Sequence, residues 1–199
     1  MRTRQLLFLL MILSAATGRT QDFYAQLAEK QGGRIPQIRY GDRFLTLVQK
    51  LVNLDLPANE RTEKYEAVEL PALKIRVVSK VYHIAEGPVF QHDVELSSSR
   101  RMTEDLTVFF PVGLLEQCDR ATFPLKNGLI GSRTDFTDGS MAGYRCAGRP
   151  EKHEYDLALP LVLLERADVK SAVMTDPFFS AQFDRGAVRW TYPKEVGFE

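Results

Sequence analysis

The groups in this chain best suited to chemistry are three histidines (His83, His92 and His153), two cysteines and one acidic turn. His83 and His92 flank Gly87-Pro88, a turn signal. If the runs on either side pair as an antiparallel hairpin, the two imidazoles approach each other. With Asp93 or Glu95 they would then form a zinc or general-base site. Alternation limits that idea, because Asp93 and Glu95 point away from His92 in a regular strand. The plainer reading is of surface histidines, or of core histidines with satisfied hydrogen bonds.

The acidic turn is Thr134-Asp135-Phe136-Thr137-Asp138-Gly139-Ser140. Asp135, Asp138 and Ser140 could begin to supply the oxygens a Ca²⁺ ion needs, although the spacing is not that of an EF-hand. Asp-Gly between two alternating runs is equally a hairpin turn. No other cofactor is expected. Paired carboxylates for glycoside hydrolysis must face each other across a cleft about 5–9 Å wide. Glu104, Asp105, Glu116, Asp119, Asp156 and Asp176 are all present, but their spacing selects no pair. The catalytic candidates are therefore His83, His92 and Glu104. In Gly139-Ser140-Met141-Ala142-Gly143 the serine adjoins the first glycine, which misses the G-x-S-x-G elbow. The chain also lacks a P-loop, a dinucleotide glycine pattern and H-E-x-x-H.

Cys118 and Cys146 close a 29-residue loop. In an oxidising compartment two thiols usually pair, and a structural disulfide between them is expected. Neither has a second cysteine or histidine nearby at metal-ligand spacing, and no C-x-x-C accompanies them. Aromatic residues are dense in the second half: Phe109-Phe110, Tyr144, Tyr155, Phe178-Phe179, Trp190 and Tyr192. Exposed aromatic faces stack on sugar rings. Trp190, Tyr192, Phe178 and Phe179 are the ligand-binding candidates.

The elements that must position these groups start with a leader. Met1-Arg2-Thr3-Arg4, the apolar run Leu6–Leu13 and the small residues of Ser14–Gly18 have the three parts of a secretion signal. Cleavage is expected after Gly18. The run falls short of the roughly 20 apolar residues that span a bilayer, and nothing later replaces it. The mature chain is thus expected to be secreted or periplasmic, with no transmembrane segment. Removing Arg2 and Arg4 from 26 basic groups leaves 24 against 26 acidic ones, a net charge of −2. That balance provides no field to gather nucleic acid, and no basic stripe does so locally.

Residues 22–31 have helical composition and end at Gly32-Gly33. A second helix is expected from Asp42, with Phe44, Leu47, Val48, Leu51 and Val52 forming one apolar stripe. Residues 58–69 read as a linker or a solvated helical turn, so residues 19–70 form a helical preface. From Leu73 the period changes from 3.6 to 2. Alternating runs then recur every 8–12 residues without crossover helices, at 73–83, 89–96, 104–112, 128–136, 141–146, 155–165, 169–175, 178–183 and 187–192.

The fold expected is mainly β with short N-terminal helices. Its sheet domain is an antiparallel β-sandwich over residues 71–199, jelly-roll-like or super-sandwich-like, of a kind that can serve as one module of a longer protein. The function this suggests is an exported, non-catalytic module that binds carbohydrate or another polymer, or supports a glycan-processing enzyme. The alternatives are an exported hydrolase or lyase with an acid/histidine site, and an envelope scaffold. The scaffold would dock a partner protein along Phe44, Leu47 and Leu51.

Overall fold

The computed structural model describes residues 8–13, 35–53, 60–85, 87–134, 140–145, 156–167 and 169–194. The first half holds β1 (Phe8–Leu13), β2 (Gln37–Tyr40), β3 (Arg43–Phe44), β4 (Leu47–Asn53), β5 (Glu60–Ala67), β6 (Leu73–Ile84), β7 (Gly87–Ser98) and β8 (Leu106–Pro111). One helical turn, α1 (Gly113–Gln117), leads to β9 (Arg120–Pro124), β10 (Ile130–Arg133) and β11 (Ser140–Tyr144). The chain continues through β12 (Asp156–Leu157), β13 (Leu161–Arg166), β14 (Val169–Thr175), β15 (Ala181–Asp184) and β16 (Ala187–Tyr192). Among the described residues these strands form two sheets. The larger has the order β10-β9-β13-β14-β1-β7-β6-β5-β4 and the smaller β12-β11-β15-β16-β8-β2-β3. Neighbours are antiparallel except for the short β11–β12 pair.

The longest ladder is the hairpin of β6 and β7, where Leu73 pairs with Ser98 and Ile84 with Gly87. Gly87 takes a φ of 137°, a backbone angle that side chains disfavour. Period-2 patterning decides which face is which. Leu73, Ile75, Val77, Val94 and Leu96 are buried, while Lys74, Arg76 and Glu95 stay on the other face. There Arg76 pairs with Glu95 across the ladder at 3.0 Å. In the smaller sheet Leu106, Val108 and Phe110 of β8 and Val188, Trp190 and Tyr192 of β16 are buried in the same way. Both sheets contribute to one hydrophobic core. The His92 ring of β7 lies 5.1 Å from the Phe110 ring of β8, a contact between the sheets. Each buried large side chain contributes about 1.5–3 kcal/mol.

Tyr40 fixes the corner where β2 leaves β8. Its hydroxyl oxygen accepts the Thr103 N–H at 2.8 Å and the Glu104 N–H at 3.2 Å. It also shares a hydrogen bond with Thr103 Oγ1 at 2.8 Å. Gly41 follows with φ +56°, where a side chain would meet Glu104.

Most strands expected after Leu73 are present, with β9 and α1 added between them, but the run expected as one strand over 155–165 is β12 and β13, which lie in different sheets. The region before it differs. Where a helix was expected from Asp42, the chain forms β3 and β4. The apolar spacing of 44, 47, 48, 51 and 52 fits a helix face, but it also fits a strand interrupted by a bulge. Pairing with β5 shifts register between Gln49 and Leu51, so one extra residue is accommodated. Leu47 and Val52 are half-buried, whereas Val48 and Leu51 stay exposed. Likewise, most of the expected linker 58–69 is β5, which sits between β4 and β6 in the larger sheet. The helix expected over 22–31 lies outside the described residues.

The apolar run of the leader is β1, held between β7 and β14 and antiparallel to both. No helix of the described residues is long and apolar enough to cross a membrane.

Candidate functional site

The first polar constellation lies on the inner face of the larger sheet. Ser79 of β6 and His92 of β7 are cross-strand partners and share a hydrogen bond, Oγ to Nδ1, at 2.8 Å. On the adjacent strand the Tyr65 hydroxyl donates to Glu63 at 2.6 Å, and Arg61 pairs with the same carboxylate at 2.5 Å. Burial and the neighbouring Glu63 carboxylate push the Tyr65 phenol far above its ordinary range. A serine hydrogen-bonded to an imidazole is the pairing of a nucleophile with a base. Here, however, Ser79 and His92 are each only 6% exposed, and the His92 ring rests on Phe110. Substrate has no approach to that hydroxyl. The chemistry that remains is structural: two buried polar groups satisfying each other.

The hairpin does not bring the histidines together. His83 pairs with Pro88 near the turn, four ladder positions from Ser79, the partner of His92. At about 3.3 Å per residue that separates the two positions by roughly 13 Å. His83 is exposed and His92 buried, so the two histidines do not come together as the zinc or general-base site considered from the sequence. Glu104 is exposed at the Tyr40 corner. Among the described residues no three His, Cys, Asp or Glu side chains gather as a metal site. Asp135, Asp138, Cys146 and His153 lie outside those residues.

The expected Cys118–Cys146 disulfide is not formed: Cys118 is a free, buried thiol at the end of α1. Its S–H reaches the Leu115 carbonyl at 3.7 Å, and burial raises its pKa to about 11. The adjoining cavity, lined by Leu114, Gln117, Cys118, Leu164 and Ser171 among others, has a volume of about 10 Å³, room for a single water.

The aromatic candidates divide. Trp190 is 2% exposed and Tyr192 is also buried, so neither presents a face to a ligand. Phe179 packs partly against the core. Phe178 is 79% exposed on a turn held by the Asp176 carboxylate, which accepts the Phe178 N–H at 2.8 Å.

A different aromatic group occupies the outer face of the smaller sheet. Phe109-Phe110 places one ring on each face of β8, and Phe109 is the outward one. Strand register sets Phe109 between Gln37 of β2 and Arg189 of β16. The guanidinium of Arg39 stands 5.8 Å from the Phe109 centroid, and that of Arg189 stands 5.9 Å from it. Phe44 of β3 tilts at 44° against the same ring, with centroids 5.8 Å apart, and is itself 60% exposed. Arg189 is held by Asp184 at 3.3 Å and by Gln182. Arg39 Nε is buried without a hydrogen-bond partner.

This face combines an exposed aromatic surface with two cations. Each cation–π contact contributes roughly 0.5–1 kcal/mol at such sites. Guanidinium N–H groups donate to hydroxyls and bind carboxylates as a fork. The Phe109-Phe110 doublet within an alternating run was the readable signal for an outward ring. Phe44 and Arg39 were not legible, because they reach that ring from β3 and β2, outside the expected sheet. Compared with known proteins, the chain matches no family model, no curated protein and no solved structure.

Proposed function

We propose that this chain is an exported, non-catalytic β-sandwich module, jelly-roll-like or super-sandwich-like, that binds carbohydrate polymer on the outer face of its smaller sheet. Residues 1–18 act as the leader; a signal peptidase hydrolyses the Gly18–Arg19 bond, and the product works in a secreted or periplasmic setting, alone or beside a glycan-processing enzyme. The observation that carries the reading is Phe109 flanked by Arg39 and Arg189 with exposed Phe44 tilted against it. Rings of this kind offer the apolar face of a sugar a stacking surface, and the guanidiniums favour polymers bearing uronate or sulfate groups. Affinity electrophoresis through gels containing neutral or acidic polysaccharide tests it. The protein is retarded most by an acidic polymer, and Phe44→Ala or Arg39→Ala weakens retardation by about tenfold, on the order of 1.4 kcal/mol. Equal mobility in every gel refutes the reading.

A second reading is a scaffold that docks a partner protein. It draws on the exposure of Phe44, Val48 and Leu51 around the turn from β3 to β4. Substituting Val48 and Leu51 with serine separates the two, because polysaccharide binding survives that change and protein docking does not.

A further inference from the structure

The two arginines beside Phe109 are not equivalent. Arg189 is already engaged: its Nε lies 3.3 Å from the Asp184 carboxylate, and its Nη2 donates to the Gln182 side-chain oxygen. Nε and Nη2 form the side-on edge of a guanidinium, which grips a carboxylate with two parallel hydrogen bonds. On Arg189 that edge is filled and the charge is balanced. Arg39 differs on both counts. Among the described residues no acid pairs with it, and its Nε–H is buried without an acceptor.

Strand geometry accounts for the orphaned donor. β2 lies between β8 and β3, and Arg39 faces Phe44 across the β2–β3 pair. Two strand spacings, about 10 Å, separate β8 from β3. Yet the Phe109 and Phe44 rings approach to 5.8 Å between centroids. Both rings therefore lean toward β2, over the Arg39 side chain that it carries. A buried N–H without an acceptor bears the full cost of its lost hydration, so a group that supplies one gains more than an ordinary hydrogen bond returns. The cover is easily moved. β3 has two residues and is an end strand of the smaller sheet among the described residues, and Phe44 is 60% exposed. Rotation of that one side chain uncovers Nε without a change in the backbone.

We propose that Arg39 is the acid-recognising residue of this face: one carboxylate of an acidic polysaccharide binds its Nε–Nη2 edge once Phe44 has turned outward, while Arg189 stays on Asp184 and supports the stacking surface. This deepens the carbohydrate reading above and rests on it. Turned outward, Phe44 still offers a ring face to the neighbouring sugar.

The experiment follows gel retardation by a polyuronate and by its carboxyl-reduced, neutral form, in the full chain and its variants. The parent binds the polyuronate at least about tenfold more tightly than the neutral form. Arg39→Gln binds both forms as the parent binds the neutral one, which also shows that the variant is folded. Arg39→Lys keeps the charge, lacks the planar edge and regains only part of the difference. Arg189→Gln combined with Asp184→Asn leaves the net charge unchanged and keeps the preference of the parent. In a Phe44→Trp protein the polyuronate shifts the indole emission as it binds, over a constant background from buried Trp190. A preference that survives in Arg39→Gln, or is complete in Arg39→Lys, overturns the inference. So does a preference lost in the paired variant, or an emission that stays unchanged in Phe44→Trp. Equal binding of both polymers by the parent overturns the inference and leaves the carbohydrate reading standing. Retardation by neither overturns both.

Discussion

Asp93 is half-buried on the outer face of β7, and burial raises its carboxyl above the ordinary 3.8 despite a hydrogen bond from Gln91 and the nearby charges of Lys80 and Arg76. The folded chain therefore holds this proton more tightly than the unfolded one. The associated stability is complete below the unfolded value and is lost as pH rises through the folded one. Asp93→Asn removes that loss: its thermal midpoint exceeds that of the parent at pH 7, and the difference closes below pH 3.8, as thermal melts across pH would show. Cys118 gives a second prediction at this scale. A buried thiol with a pKa near 11 is almost wholly protonated at pH 7. It should resist a thiol reagent in the folded protein and react at the rate of a free cysteine in denaturant. Single residues were the least legible part of the sequence. Alternation placed Asp93 and Glu95 opposite His92 correctly, and it put Trp190 with Val188 and Tyr192 on one face of the last strand, but an aromatic-rich face can serve a core or a binding surface, so the burial of Trp190 was not legible. As a buried indole, Trp190 reports unfolding and not ligand binding.

Among the elements, period 2 after Leu73 was read well because strands such as β6 and β7 bury one face and carry charge on the other. The strands before it were missed for a physical reason. A bulge in β4 converts strand spacing into helix-like spacing, and Glu60–Ala67 carries mostly polar and charged residues although it sits inside a sheet. Two of its acids are tied up locally: Glu63 by Arg61 and Tyr65, and Glu66 by Lys50 and Lys74. Pairing between strands, which propensity does not record, decided the outcome. A testable element is the β9–β10 hairpin, where Gly131 lies opposite Phe123. A methyl at Gly131 would collide with the Phe123 ring, which is fully buried. Gly131→Ala should destabilise by about 1–3 kcal/mol, read from the midpoint of urea unfolding, and Gly131→Ala together with Phe123→Leu should recover part of that loss.

At the scale of the whole molecule, a boundary near residue 70 was expected, but β4 and β5 extend the same sheet below it. The two sheets meet through contacts such as that of Phe110 with His92. Phe110→Ala should cost about 3–5 kcal/mol, and a single cooperative transition in calorimetry would show that both sheets unfold together. Among the described residues one edge of the larger sheet is β4, on which Val48 and Leu51 are exposed. Such an edge is a template on which further chains can stack into fibrils. The irregularity at Lys50 interrupts the ladder, and the ammonium there, paired with Glu66 at 3.2 Å, adds charge to the approach. Deleting Lys50 would straighten this margin and remove its charge together, and light scattering should then rise with protein concentration. A residue that gave β4 the appearance of a helix would thus also keep the protein from polymerising.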